Sequence, residues 1–349
     1  MEFACPQTKR IAELANEVGL ELRAIIPAQK LPADVMTRLD QWLLEGRAAE
    51  MDYIGAARSV MGDVRDWKRW TRSIALFALP YHRAGGEFRG GGRVARYALG
   101  RDYHNLLGKR LERLGKRLRR ENMVQNFRGC TDAAPVLERE WAILGNVGWR
   151  GKNTLVLDPA YGPWVLLGEL LMDLELPTFT APPPTDADSK QKRWASCGSC
   201  TACLDVCPTG ALTSAYEIDA RLCISYLTIE HRGSIPVELR AKMGDWVFGC
   251  DLCSEVCPFG HHADDHAEDW GTKDAISAFR LEDLLALTAD EFATAFAGSP
   301  IRRAGLGGLQ RNACVALGNL KRGGPELEDA ARSHTDPIVR EHASWALAE

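Results

Sequence analysis

Apolar residues recur along the first half of the chain at two alternating spacings. In TKRIAELANEVGL, Ile11, Leu14, Ala15 and Val18 share one helical face and Gly19 is placed to end the helix; ELRAIIP then predicts a short strand. SIALFALPY (73–81) is a continuous apolar run of strand length closed by proline, which predicts a buried central strand. DYHNLLGKRLERLGKRLRREN repeats Leu107, Leu111, Leu114 and Leu118 on one stripe, predicting an amphipathic helix with a basic outer face. NTLVLDPAYGPWVLLGELL predicts strand, turn, strand, because DPAYG sets turn residues between two apolar runs. The pattern is mixed α/β, of the α+β kind.

The pattern breaks at TFTAPPPTDADSK (178–190), whose prolines and small polar residues predict a linker. A cysteine-rich stretch follows. Beyond about residue 268 the periodicity is helical again, with Ala313, Ala316, Leu317 and Leu320, then Val339, Ala343, Ala346 and Leu347, at helical spacing. These last segments resemble a single HEAT repeat, which cannot bury its own apolar faces and must dock on the rest of the protein. Three segments are therefore expected: 1–179, 180–268 and 269–349.

The 349 residues carry 43 Lys and Arg against 47 Asp and Glu. That balance excludes a uniformly basic body that coats nucleic acid, so a polyanion partner must meet a local patch. The N-terminal residues have no apolar core of signal-peptide type, and no stretch approaches the roughly 20 apolar residues that span a bilayer. The reading is a cytoplasmic protein. In a reducing compartment its eleven cysteines are expected as metal ligands or reactive groups.

Eight of those cysteines lie between residues 197 and 257. Cys197, Cys200, Cys203 and Cys207, followed by Pro208, match the bacterial ferredoxin run C-x2-C-x2-C-x3-C-P, in which three thiolates hold one cubane and the fourth reaches the other. GCDLCSEVCPFG is a partial second copy, with Cys250, Cys253, Cys257 and Pro258, and Cys223 in ARLCISYL supplies its missing ligand. Pseudo-symmetry then assigns Cys197, Cys200, Cys203 and Cys257 to one [4Fe–4S] cluster and Cys207, Cys223, Cys250 and Cys253 to the other. Paired C-x2-C units also build zinc sites, but zinc does not ask for three evenly spaced thiols ending in Cys-Pro. Two adjacent clusters form a one-electron wire, and the long N-terminal segment is expected to hold a second redox centre or a substrate pocket. Cys5, Cys130 and Cys314 are scattered and read as small hydrophobes.

Asp132 precedes a proline in GCTDAAPVLEREW. Taken alone it reads as a helix cap. Taken together, RYALGRDYH (96–104), TDAAPVLE (131–138), GWRGKNT (148–154), the double cluster motif, RLCISYLTIE (221–230) and the HEAT-like tail resemble epoxyqueuosine reductases over nearly the whole chain. The resemblance implies an oxidoreductase that removes the epoxide oxygen of epoxyqueuosine at the wobble position of tRNA anticodons. It implies cobalamin as the reactive centre, two [4Fe–4S] clusters that feed it, and Asp132 as proton donor. For that role the Asp132 carboxyl is expected to sit above its ordinary range through burial. The resemblance further implies that Arg58, Ala95, Arg96, Asp132, Lys152, Val156, Leu167, Ser225 and Asp251 line the corrin, although Val156 and Leu167 also fit an ordinary core and Arg58 a surface charge.

DYHNLLG (102–108) is close to the D-x-H-x-x-G pattern that puts a histidine below cobalt, but its glycine comes one residue late and the segment opens a helix. No ligand is expected from His104, which reads as structural. HHADDH (261–266) reads as a solvated loop. The implied partners are an anticodon stem-loop and an external one-electron donor, for a monomer with no membrane contact. Basic residues from Arg101 to Arg128, with Trp67 and Trp70 interleaved among Arg and Lys in DVRDWKRWTR, suit phosphates and unpaired bases, and Lys192, Arg193, Arg221 and Arg232 stand nearer the clusters. Two competing readings are a reductive dehalogenase acting on small molecules and an iron–sulfur carrier without corrin.

Overall fold

The computed structural model describes residues 3–182, 196–261 and 263–349. It divides into two compact units, each assembled from separated stretches of chain. The first comprises Met1–Tyr81, Tyr103–Thr201 and Val256–Asp264; the second comprises His82–Asp102, Ala202–Glu255 and Asp265–Glu349. The linear segments 1–179, 180–268 and 269–349 do not coincide with these units. The 82–102 stretch leaves the N-terminal segment because its Phe88, Val94, Ala98 and Leu99 are core residues of the second unit.

In the first unit a five-stranded sheet has the order Phe127–Cys130, Val165–Met172, Ser73–Pro80, Glu21–Pro27, Phe179–Thr180, with every pair antiparallel. Ser73–Pro80 is the central strand and is buried nearly throughout, as its unbroken apolar run predicts. The register sets Glu169 beside Leu76 on one side and Cys130 on the other, so a carboxyl group is threaded into the middle of the sheet. The pairing of Glu21–Pro27 with its neighbour slips between Leu22 and Ala24. Arg23 at the slip is buried and reaches the buried Asp158 at 2.8 Å.

That pair explains a departure from the predicted strand, turn, strand. Asp158 spends Oδ1 on the backbone N–H groups of Ala160 and Tyr161 and holds the DPAYG turn. Val156–Leu157 then pairs with Trp149–Arg150 instead of returning along Val165–Met172. The helix Tyr103–Arg120 lies on the sheet with Leu107, Leu111, Leu114 and Leu118 fully buried, as its stripe predicts. A side chain at Gly115 would meet the Phe127 ring at 2.1 Å, so close approach of helix and strand requires glycine there. Phe179–Thr180, expected in the linker, is an edge strand; the rest of that linker from residue 183 onward lies outside the described residues.

The second unit is built around the helix Gly305–Asn319, whose residues from Leu309 to Gly318 are all buried. The helices Pro325–Ser333 and Pro337–Ala346 pack on it, together with Phe88, Val247, Phe248 and Leu281. The C-terminal segment thus docks, as an unpartnered helical repeat must. Leu320 and Leu347 do not join that core and stand 37% and 42% exposed, because they lie past the last turns of their helices.

Three buried polar residues in this apolar helix act as a clamp. Arg311 donates to the carbonyls of Leu227, His231 and Gly233 at 2.6–2.9 Å, and Asn312 donates to those of Thr228 and Val247 at 2.8 and 2.9 Å. Gln310 donates to the carbonyls of Leu284, Leu285 and Leu287. Short helices such as Ile224–Ile229 leave carbonyls unpaired at their C-terminal ends, and buried carbonyls need donors. Asn312→Ala strands two carbonyls and the Arg311 contact, so it is expected to cost about 2–4 kcal/mol of unfolding free energy. The denaturant midpoint of the anaerobic protein measures this; a change under about 0.5 kcal/mol, the usual size of a surface effect, contradicts the clamp.

Candidate active site

A cavity of about 160 Å³ opens in the first unit where the strand Phe127–Cys130 runs into a bent loop. Tyr103, Asp132, Glu138 and Arg139 form its polar side, and Val156, Leu166 and Leu167 form an apolar wall opposite. The Thr131 hydroxyl donates to the Leu167 carbonyl at 3.2 Å and pins the loop to the sheet. Asp132 takes a left-handed backbone conformation, φ +54°, which aspartate tolerates better than most residues.

Asp132 caps no helix. The helix after it begins at Glu138 with Leu137 as its N-cap, because 131–135 is a run of bends. Its carboxylate instead accepts hydrogen bonds from the Tyr103 hydroxyl and from His104 Nε2 at 3.3 Å. Those two rings stack at 4.0 Å between centroids and stand at the first turn of the long helix, which the buried leucine stripe fixes in place. His104, expected to be structural, is a partner of the candidate acid.

These bonds reverse the expected titration of Asp132. The His104 and Tyr103 hydrogen bonds hold its carboxyl below the ordinary range against the opposing effect of desolvation. The side chain is 63% exposed, so the group is an ionised carboxylate at the cavity mouth and not a buried neutral acid. Protons are held one layer deeper. Desolvation, then the charge of Asp132, pushes Glu138 up to about 8, and its carboxylate oxygen accepts the Asp132 backbone N–H. Glu169 is fully buried, and desolvation followed by repulsion from Glu138 and Asp132 raises it well above the ordinary value.

The cysteines fall into both units. In the first, Cys197 and Cys257 are buried with Leu157 and flanked by Trp149 and Phe259. The Lys152 ammonium donates to the carbonyls of Gly198 and Cys200 at 2.8 and 2.9 Å, which fixes the CGSC loop. In the second, Cys223 is the N-cap of Ile224–Ile229, and Cys253 sits in the helix Leu252–Glu255. Desolvation, then the neighbouring Cys223, Asp251, Cys203 and Cys207, pushes the Cys253 thiol up to about 12; Cys250 moves the same way. Thiols raised mainly by burial in this way become thiolates only beside a strong positive charge, which is what bound iron would supply. Among the described residues no three His, Cys, Asp or Glu side chains converge as a single bound ion would need. A four-iron cluster draws one thiolate to each iron and asks for a wider ring.

The remaining expected residues divide between the units. Val156 and Leu167 line the Asp132 cavity. Arg58 forms a two-pronged ion pair with Asp40 at 2.5 and 2.6 Å. In the second unit the buried Asp251 accepts the Arg96 backbone N–H at 2.7 Å, Ala95 donates to the Phe248 carbonyl, and the Ser225 carbonyl accepts from Thr228. Desolvation pushes Asp251 up to about 6.

The expected basic patch is largely engaged within the fold. Arg117 pairs with Glu17, Lys116 with Glu112, and Arg110 donates to the Gly19 carbonyl. Lys68 and Arg128 stack over Trp67, and Trp67 and Trp70 pack against the core. Arg221 grips Asp219, and Arg232 donates to the carbonyls of Arg303 and Ala304. Lys192 and Arg193 lie outside the described residues.

Sequence reasoning passed over Tyr103, Glu138 and Glu169. Glu169 had a signal: it is the one charged residue in the apolar run WVLLGELLM. Glu138 and Glu169 both bind a proton more tightly in the folded chain than an unfolded glutamate, whose reference value is 4.5. As pH rises from there, the unfolded chain releases these protons first, so stability declines until the folded groups ionise as well. Glu169→Gln removes one such group, and denaturant midpoints measured at stepped pH are expected to show a shallower decline. An unchanged slope contradicts a neutral Glu169.

Comparison with known proteins sets this site in context. Residues 62–133 match the family model described as Epoxyqueuosine reductase QueG, DUF1730, and residues 196–260 match the 4Fe-4S double cluster binding domain. The epoxyqueuosine reductase of Pseudomonas aeruginosa is 40% identical over 98% of this chain and 95% of its own. That of Escherichia coli is 37% identical over 89% and 82%. Among solved structures, an epoxyqueuosine reductase with an epoxyqueuosine-modified tRNA-Tyr stem loop superposes with a TM-score of 0.83 at 27% identity, covering 98% of this chain and 89% of that one. A Bacillus subtilis epoxyqueuosine reductase, described with its catalytic loop swung out of the active site, superposes at 0.81 with the same identity and coverage. With near-complete alignment to such relatives and a double iron–sulfur cluster domain, this chain belongs to the epoxyqueuosine reductase family.

Proposed function

We propose that this protein reduces epoxyqueuosine to queuosine at the wobble position of tRNA anticodons, and that the Asp132 cavity receives the epoxide. The observation that carries this reading is a carboxylate, held by a phenol and an imidazole, facing an apolar wall in a cavity sized for a small ring. The relatives named for this reaction, and the relative described with the modified stem loop, support the choice of substrate. Among the described residues no helix is long and apolar enough to cross a membrane.

The reaction takes two electrons and two protons. Two [4Fe–4S] clusters would be held, one by Cys197, Cys200, Cys203 and Cys257 and the other by Cys207, Cys223, Cys250 and Cys253, and would carry single electrons from an external donor. Cobalamin is the reactive centre of the reading; when bound, it supplies a cobalt ion that accepts single electrons and opens carbon–oxygen bonds. Val156 and Leu167 offer the apolar contact that a corrin ring asks for, and the Ala95, Arg96, Ser225 and Asp251 segment and Lys152 offer backbone and polar contacts. Arg58, paired with Asp40, is the weakest fit.

The chain's own residues manage the proton. Asp132 is ionised at rest, so it delivers a proton only after receiving one, and Tyr103 and His104 orient its carboxylate toward the cavity. Anaerobic reconstitution with iron, sulfide and cobalamin, followed by mass analysis of an epoxyqueuosine-containing anticodon stem loop, tests the reading. Loss of one oxygen atom is expected, with Asp132→Asn retaining the cluster absorbance and losing turnover by roughly a hundredfold or more. Native turnover by that variant removes Asp132 as the acid, and an unreduced stem loop with fully loaded protein removes the reaction.

A further inference from the structure

The cavity holds one more carboxyl group than a single delivery site accounts for. Glu138 lines it together with Asp132, and Glu138 Oε1 accepts the Asp132 backbone N–H. Behind it, Glu169 is fully buried, and neither of its oxygens has a hydrogen-bond partner at ordinary geometry among the described residues. Nothing in a sheet requires a carboxyl at that register position, where Leu76 and Cys130 are the neighbours. A lone buried carboxyl is costly unless it stays protonated or shares a proton.

The charged and titratable groups around the pair are few. Asp132, His104 and Arg139 act on Glu138. Glu138 and Asp132 act on Glu169, and the buried Cys130 thiol feels Glu169 along with the cations Arg128 and Lys68. The cation facing Glu138 from its own helix is Arg139, which also donates to the carbonyl and hydroxyl of Thr154. Two interacting carboxyls with so little countercharge do not both ionise near neutral pH.

Resting on the reduction reading above, we propose that Glu138, backed by Glu169, is the resident proton store of the cavity and supplies one of the two protons that the departing epoxide oxygen takes up. The O–H bond of the Glu138 carboxyl breaks and an O–H bond forms on the departing oxygen, leaving Glu138 as a carboxylate. Asp132, open to solvent, brings the second proton. Two carbon–oxygen bonds are lost, one carbon–carbon π bond and two O–H bonds form, and the two electrons come from the external donor through the clusters. Glu169 keeps its proton throughout and can donate it in a hydrogen bond to the new carboxylate. Solvent then reloads Glu138 past the exposed Asp132.

Two measurements on the anaerobic, fully reconstituted protein test this. Infrared difference titration follows the C=O stretch of a protonated carboxyl without any turnover, and single-turnover reduction of the modified stem loop is timed across the same pH range. In the wild type, one carboxyl band is expected to disappear around pH 8, with the reduction rate declining over the same interval. Glu138→Gln, which keeps the acceptor for the Asp132 N–H, is expected to lack that band, to slow reduction roughly a hundredfold and to lose the alkaline decline. Glu138→Asp is expected to recover part of the rate with its decline at a different pH. A band that persists in Glu138→Gln, or a wild-type rate and pH profile in that variant, overturns the proposal. A wild-type protein that shows the band and never reduces the stem loop counts against the reduction reading, and the band alone then decides the proton store.

Discussion

A carboxyl group cannot be buried in an apolar sheet and remain charged at low cost. Glu169, set by strand register between Leu76 and Cys130, is under that constraint, and so is Glu138 in the cavity lining. The Glu169 proton stays, Glu138 in front of it resists ionising beside Asp132, and the negative charge of the cluster comes to rest at the exposed Asp132, where Tyr103 and His104 can stabilise it. Desolvation of Glu169 and Glu138, with the hydrogen bonds of His104 and Tyr103 to Asp132, thereby divides three carboxyl groups into a neutral interior and an ionised mouth. That division separates storing a proton from delivering one, which a reaction consuming two protons can use.

The second unit solves a different problem with similar means. Cluster-binding loops are short, carry little apolar surface and leave many backbone carbonyls unpaired. Arg311 and Asn312, from a helix distant in sequence, donate to the carbonyls of the 227–233 turn and of Val247, close in sequence to Cys223 and Cys250. The Thr228 hydroxyl also accepts the Gly249 N–H just ahead of Cys250. The C-terminal helices therefore act as a scaffold for the cysteine loops. Thiols buried near one another are costly to ionise without a metal, so metal binding and folding are mutually dependent.

Much of this was legible in the sequence, for physical reasons. A leucine every three or four residues between 107 and 118 has one way to bury itself, and an unbroken apolar run at 73–80 belongs in a sheet centre. Cysteine spacing is equally direct, since ligand geometry is local. What was not legible depends on contacts between distant residues. Strand partners follow register and not adjacency, so the predicted strand, turn, strand of 153–171 became two separate pairings, Val156–Leu157 with Trp149–Arg150 and Val165–Met172 with Phe127–Cys130 and Ser73–Pro80. Asp132 read as a cap or a buried acid because nothing local reveals that Tyr103 and His104 will meet it. The basic stripe read as a phosphate surface because sequence does not show Glu17 meeting Arg117 or the Gly19 carbonyl meeting Arg110.

The central claim is that the Asp132 cavity is where the epoxide is reduced. The most direct measurement is a structure of the fully reconstituted protein bound to an anticodon stem loop bearing epoxyqueuosine. The account predicts the epoxide ring within reach of the Asp132 carboxyl, with Glu138 within hydrogen-bond distance of the epoxide oxygen. A modified base bound with its epoxide out of reach of both carboxyl groups would contradict it.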